Sequence, residues 1–181
     1  MGVIMKILSM VLFLSVVCYA ELPILQTGQT KVYSSGDNGT HQTGAKRSYT
    51  KQGEVVIDNT TGLMWQNEPY SSQEQEAEKA NTEHGKVLKW GNAFKYCEAL
   101  ELEGYSDWRL PSLKELKSLV DYSRTNPSID DNVFKVMPNY YWSSTLDASD
   151  DAYAWVVYFN DGYDTYGPKD SSYYVRCVRG Q

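Results

Sequence analysis

Two stretches of the chain carry apolar residues at helical spacing, and the segments around them carry strand patterns. Trp90, Ala93, Phe94, Cys97 and Leu100 fall on one face of a helix predicted to start near Trp90, with Gly104 as its expected stop. A second helix is predicted after Pro111. Ser112 caps it, Glu115 completes a capping box, and Leu113, Leu116, Leu119 and Val120 form its apolar stripe. Ahead of the helices, Glu54–Ile57 and Leu63–Gln66 read as short strands around the turn cluster Asp58–Gly62. After Pro127 the pattern is again that of strands: 139–145, 153–159, a tight Asn160-Asp161-Gly162 turn, a return strand over 163–167, and a last strand over 173–179. In that last strand Tyr173, Val175 and Cys177 share a face, so Cys177 points inward, as Cys97 does from its helix. Residues 67–86 are polar and read as a solvated loop or short helix. Residues 21–53, rich in Gly, Ser and Thr, read as an extended arm with turns. This order predicts an α+β domain over 54–181, with two helices packed on antiparallel sheets.

The N-terminus changes how the rest is read. Lys6 precedes an apolar run from Ile7 to Val17, followed by Cys18-Tyr19-Ala20 and then Glu21. This is the layout of a secretory signal peptide over residues 1–20, and the run is too short to span a bilayer comfortably. The chain is therefore expected to be exported, to the periplasm, the cell surface or the medium. A lipoprotein signal with lipidated Cys18 is the rival reading, against which Val17 stands where a small residue is expected. In an oxidising compartment Cys97 and Cys177 are then expected to form one disulfide, closing a loop of 80 residues. The alternative is two free buried thiols. No Cys-x-x-Cys pair is present, which disfavours zinc and thioredoxin-type sites.

Charge narrows the partners. The formal net charge is -6, and loss of residues 1–20 removes only Lys6. Such a chain repels phosphate backbones and lacks a general basic membrane-binding character, so no nucleic-acid partner is expected. Aromatic residues make up 13%, with 15 Tyr and 5 Trp, which suits a β-rich architecture.

Several ordered motifs resemble one family. The stretch Gly104-Tyr105-Ser106-Asp107-Trp108-Arg109-Leu110-Pro111-Ser112, followed by Glu115-Leu116, is similar to the core signature of the Lcl C-terminal domain family. That family is named for the C-terminal domain of a bacterial collagen-like adhesin. Thr27-Gly28-Gln29-Thr30, Asp58 through Trp65, Tyr141-Trp142-Ser143-Ser144, Ala154-Trp155 ahead of Phe159 and Gly162, and Val175 through Arg179 also fit. The resemblance spans about residues 27–179. It implies a C-type lectin-like fold, shared more distantly with formylglycine-generating enzymes, in which a cysteine on the first helix bridges to one on the last strand. Cys97 and Cys177 occupy those places. The sequence departs from the pattern at Lys31-Val32, where members often carry a cysteine, so no covalent tie is expected to fasten the arm.

Candidate chemistry points to binding and away from catalysis. His41 and His84 lie in polar segments, without metal-binding His spacing, and no Gly-x-Ser-x-Gly elbow is present. Formylglycine-generating chemistry needs reactive cysteines, which the disulfide would consume. Asp147, Asp150 and Asp151 between two strands, and Asn160, Asp161 and Asp164 around the next hairpin, are oxygen ligands of the kind calcium takes. Solvated turn-forming residues are the plainer reading. Tyr153, Tyr163, Tyr166, Tyr173 and Tyr174 offer rings to sugars or proteins, or fill half-buried sheet faces. Trp65, Trp108, Trp142 and Trp155 are expected in the core, and Arg109 in a structural ion pair. Lys86, Lys89, Lys95, Lys114 and Lys117 are candidates for a basic face along the helices.

The expectation is thus an exported, adhesin-like recognition domain with no resident cofactor unless calcium is one. Its candidate ligand-binding residues are Asp150, Asp151, Asn160, Asp161, Tyr163, Asp164 and Tyr166 in the loops of 145–172. The ligand would be a glycan or a host or envelope protein. The alternatives are a structural envelope protein that self-assembles or holds a protein partner, and an enzyme on the formylglycine-generating scaffold.

Overall fold

The computed structural model describes residues 22–69 and 87–180. The expected signal segment with Cys18, the polar stretch over 70–86, and with it His84 and Lys86, lie outside the described residues.

A short helix and four strands are followed by two helices and then five strands. The elements are α1 (Asn38–His41), β1 (Tyr49–Gln52), β2 (Val55–Asp58), β3 (Met64–Gln66), β4 (Leu88–Lys89), α2 (Trp90–Ala99), α3 (Leu113–Ser118), β5 (Tyr140–Leu146), β6 (Tyr153–Tyr158), β7 (Tyr163–Pro168), β8 (Ser172–Tyr173) and β9 (Val178–Arg179). They form a four-stranded sheet in the order β1-β2-β3-β9, a three-stranded sheet β5-β6-β7 and a two-stranded ribbon β4-β8. Every paired strand runs antiparallel. The α+β class read from the sequence therefore holds.

Side-chain alternation explains why two cores form. Trp142, Ala154 and Val156 on one face of the three-stranded sheet join Val55, Ala93, Cys97, Val175 and Cys177 in a first core, which α2 covers. Tyr141 and Val157 on the opposite face join Val56, Trp65, Leu116, Leu119, Phe134, Phe159 and Val178 in a second core, which α3 covers. Neighbours Val55 and Val56 feed different cores, which is why β2 and β6 read as continuous apolar runs. Cys97 and Cys177 are fully buried and joined by a disulfide with Cα atoms 5.5 Å apart. It ties α2 to the strand-like run before β9, and the free-thiol alternative is set aside.

The helix caps follow the sequence. Ser112 accepts from Glu115 N, and the Glu115 side chain accepts from Ser112 N, so the capping box of α3 is complete. The predicted stop of the first helix is corrected. It ends at Ala99, with Leu100 N donating to Cys97 O, and Gly104 instead takes positive φ in a separate turn between Leu102 and Tyr105. The single last strand over 173–179 is corrected too. It is split into β8 and β9, because Tyr174 leaves β8 to make a parallel bridge with Tyr141 of β5.

Part of the polar arm is integral to the sheet. Tyr49–Gln52 form β1, paired with β2. Upstream, the Asp37 carboxylate caps α1 and accepts from the Tyr33, Ser34 and Thr40 amides; these bonds outweigh desolvation and hold its pKa at about 2. With no covalent tie in the arm, Arg47 fastens it. Nε donates to Ser118 O at 3.1 Å and Nη1 to Gln26 O at 2.5 Å, while Nη2 reaches Val120 O. Gly28, at φ +92°, passes so close to Asp121 that an added Cβ would sit 1.8 Å from Asp121 Oδ1. That approach accounts for the glycine of the Thr27–Thr30 segment.

Candidate functional site

β6 separates the two acidic groups that the sequence placed in successive connections. Asp147, Asp150 and Asp151 lie in the β5–β6 connection, and Asn160 and Asp161 in the β6–β7 turn, at opposite ends of a six-residue strand. Six extended residues span roughly 20 Å. The seven candidate residues therefore divide into two groups, with Asp150, Asp151 and Tyr166 towards one end and Asn160, Asp161, Tyr163 and Asp164 towards the other.

The turn end is mostly committed to packing. Asn126 N donates to Asn160 O at 2.6 Å, Thr125 Oγ1 donates to the same carbonyl, and Ser128 N donates to Phe159 O. Gly162 is buried against Val120 and Ser128, where a Cβ would lie 2.5 Å from Val120 Cγ1. Asp164 pairs with Lys117 of α3. Tyr163 shares a hydroxyl–hydroxyl bond with Tyr140 and packs edge-on to it, and Tyr140 stacks on Tyr158 at 4.4 Å. That bond, with smaller contributions from burial and nearby charge, pushes the Tyr163 phenol up to about 12. Exposed Asp161 is the remaining carboxylate here.

The opposite end is open. Tyr153, Trp155 and Tyr166 lie on one face of β6 and β7, beyond the part that α3 covers. Tyr166 packs edge-on to Tyr153 at 5.5 Å and to Trp155 at 6.1 Å, and is 54% exposed. Trp155 is half-buried, which corrects its assignment to the core, whereas Trp65, Trp108 and Trp142 are buried as expected. Beside this aromatic surface, Asp150 and Asp151 are exposed, and Asp150 Oδ1 accepts from Ala152 N at 2.9 Å, which shapes the loop. Asp147 likewise accepts from Ser149 N and Oγ. No group of three or more His, Cys, Asp or Glu among the described residues stands close enough to hold a metal ion. The surface offers flat rings flanked by acceptors, which suits sugar rings or a partner's side chains.

The motif residues form the frame behind this surface. Asp58 accepts from the Thr60 and Thr61 amides, turning β2 into β3. Arg109 holds Glu115 through two bonds, as expected. Arg179 pairs twice with Asp107 and lies 3.9 Å from the Tyr105 ring centroid. Fully buried Arg176 donates to Gln66 O, Asn67 O and Lys135 O and lies over the Phe134 ring. A model of the Lcl C-terminal domain family matches residues 54–179. The chain belongs to that family. No curated protein matches its sequence.

Within this Lcl C-terminal domain, the lysines of the helices do not make one basic face. Lys89 and Lys95 lie with α2 against the first core, and Lys114 and Lys117 with α3 against the second, on the other side of the three-stranded sheet. Sequence reasoning also passed over Tyr122 and Arg47, which line grooves between the arm and α3.

Proposed function

We propose that this Lcl C-terminal domain is an exported recognition module that binds a glycan on the Tyr153–Trp155–Tyr166 surface, and that it is not an enzyme. The observation carrying this reading is the Tyr166 ring. It stands more than half exposed, the most exposed aromatic ring of its sheet, propped edge-on by two neighbours. Rings held rigidly in this way contribute contact area at little entropic cost. Asp150 and Asp151 supply hydroxyl acceptors at the same end. Export rests on the signal-peptide pattern of residues 1–20 and agrees with the buried disulfide. A C-type lectin-like fold fits the α2-to-terminal-strand disulfide and the two-core layout.

A glycan array probed with and without calcium tests the proposal, using the native protein and Tyr166→Ala. Saturable binding that the substitution abolishes is expected. Absence of glycan binding under both conditions removes the lectin reading. A stable oligomer or protein complex in light scattering would then favour a structural envelope role.

A further inference from the structure

A second surface has a different chemistry. Between the arm and α3 lies an open groove of about 430 Å³, within the size range of small-ligand sites. Leu22, Leu25, Leu113 and Tyr122 give it an apolar floor, and Arg47, Lys114 and Lys117 are its charged lining residues. Among the described residues no carboxylate lines it, although acidic residues outnumber basic ones in the chain, 23 to 17.

The three cations are not equivalent. Lys117 is shared with Asp164. Arg47 donates to three backbone carbonyls and has no carboxylate partner among the described residues, so its charge is held in place without being neutralised. Lys114 is exposed and makes no ion pair among the described residues. The polar backbone of the arm, by contrast, is occupied. Gln26 N donates to Ala45 O, Ala45 N to Ile24 O, and Tyr122 N to Thr27 O, while Gln26 O accepts from Arg47. An added peptide strand would find few free backbone partners along this edge. What the groove presents is apolar area and positive charge.

We infer that this groove is a second ligand site, for a single-chain carboxylate with an apolar tail, the chemistry of a free medium-chain fatty acid. The tail lies over Leu22, Leu113 and Tyr122, and the carboxylate meets Lys114 near Arg47. Desolvation of the tail supplies most of the binding, and the cations set orientation and favour the anion over uncharged or cationic amphiphiles.

The test uses the exported protein in two-dimensional amide NMR titrations with decanoate below its micelle concentration. Parallel titrations use decanol and anionic phospholipid vesicles. Expected is saturable decanoate binding, with shifts centred on Leu22, Leu113 and Tyr122 and weaker binding of decanol. Lys114→Glu is expected to weaken decanoate binding about three- to tenfold, and Lys95→Glu on the opposite helix to leave it unchanged. No saturable shift, equal binding of decanol, equal effects of the two lysine variants, shifts mapping elsewhere, or response to vesicles alone would each overturn the inference. A peptide bound in the groove in place of the acid would do the same.

Discussion

Arg109 grips both oxygens of the Glu115 carboxylate, with Nη1 2.9 Å from Oε2 and Nη2 2.6 Å from Oε1, while Ser112 N and Oγ donate to the same Oε2. One carboxylate thus caps α3 and joins it to the Gly104–Ser112 signature. Arg109 also exchanges two backbone bonds with Val178. Burial favours the neutral acid at Glu115, but the bonds from Arg109 and Ser112 outweigh it, and its pKa lies below the ordinary value. A depressed carboxylate contributes stability that is fully present above its unfolded pKa and is lost as pH falls through the folded one. Glu115→Gln should therefore cost about 2–3 kcal/mol in urea denaturation at neutral pH and flatten the loss of stability on acidification.

Arg176 donates to three carbonyls from two distant segments, at 2.6–2.7 Å, from a fully buried side chain. Arg176→Lys, which keeps the charge but loses the planar fork, should destabilise by about 3 kcal/mol and lower Tm clearly in calorimetry.

Both sulfurs of the Cys97–Cys177 bond lie in the first core. Native exported protein should resist alkylation unless reduced and unfolded. A double Cys→Ser variant should lose about 2–5 kcal/mol in chemical denaturation.

Gly28→Ala should displace the arm, since the new methyl meets Asp121 at a positive φ. Limited proteolysis should then cut within residues 22–45 faster than in the native protein, with the 54–179 region still protected.

Tyr166→Ala removes an exposed ring and should change stability by about 0.5 kcal/mol or less while abolishing glycan binding. Tyr163→Phe breaks the bond to Tyr140, so the late phenol titration near 12 should vanish from a spectrophotometric pH curve without loss of binding. The Tyr163 pKa is raised on folding. Its contribution is present below the unfolded phenol pKa and fades as pH rises towards 12.

Local signals in the sequence were reliable where one backbone segment settles the matter by itself. The Ser112–Glu115 box, the Asp58 turn and the Gly162 hairpin all stand as their residues indicate. Cys97 and Cys177 were legible because helical and strand periodicity pointed each inward. What could not be read was which side of the three-stranded sheet a segment faces. Trp155 looks like core beside Ala154 and Val156, yet it lies past the end of α3 and stays half-buried. The Arg47 anchor was equally hidden, because its acceptors are backbone carbonyls, which every residue has.

Val178 pairs with Trp65 along one edge and with Arg109 along the other. Three stretches drawn from the beginning, middle and end of the domain are thereby laced through a single residue. Chimeras that exchange one third of the domain with a relative must match shape at this crossing, whereas grafts confined to the β5–β6 connection leave it untouched. That connection is the natural place to vary when the binding preference is to be re-engineered.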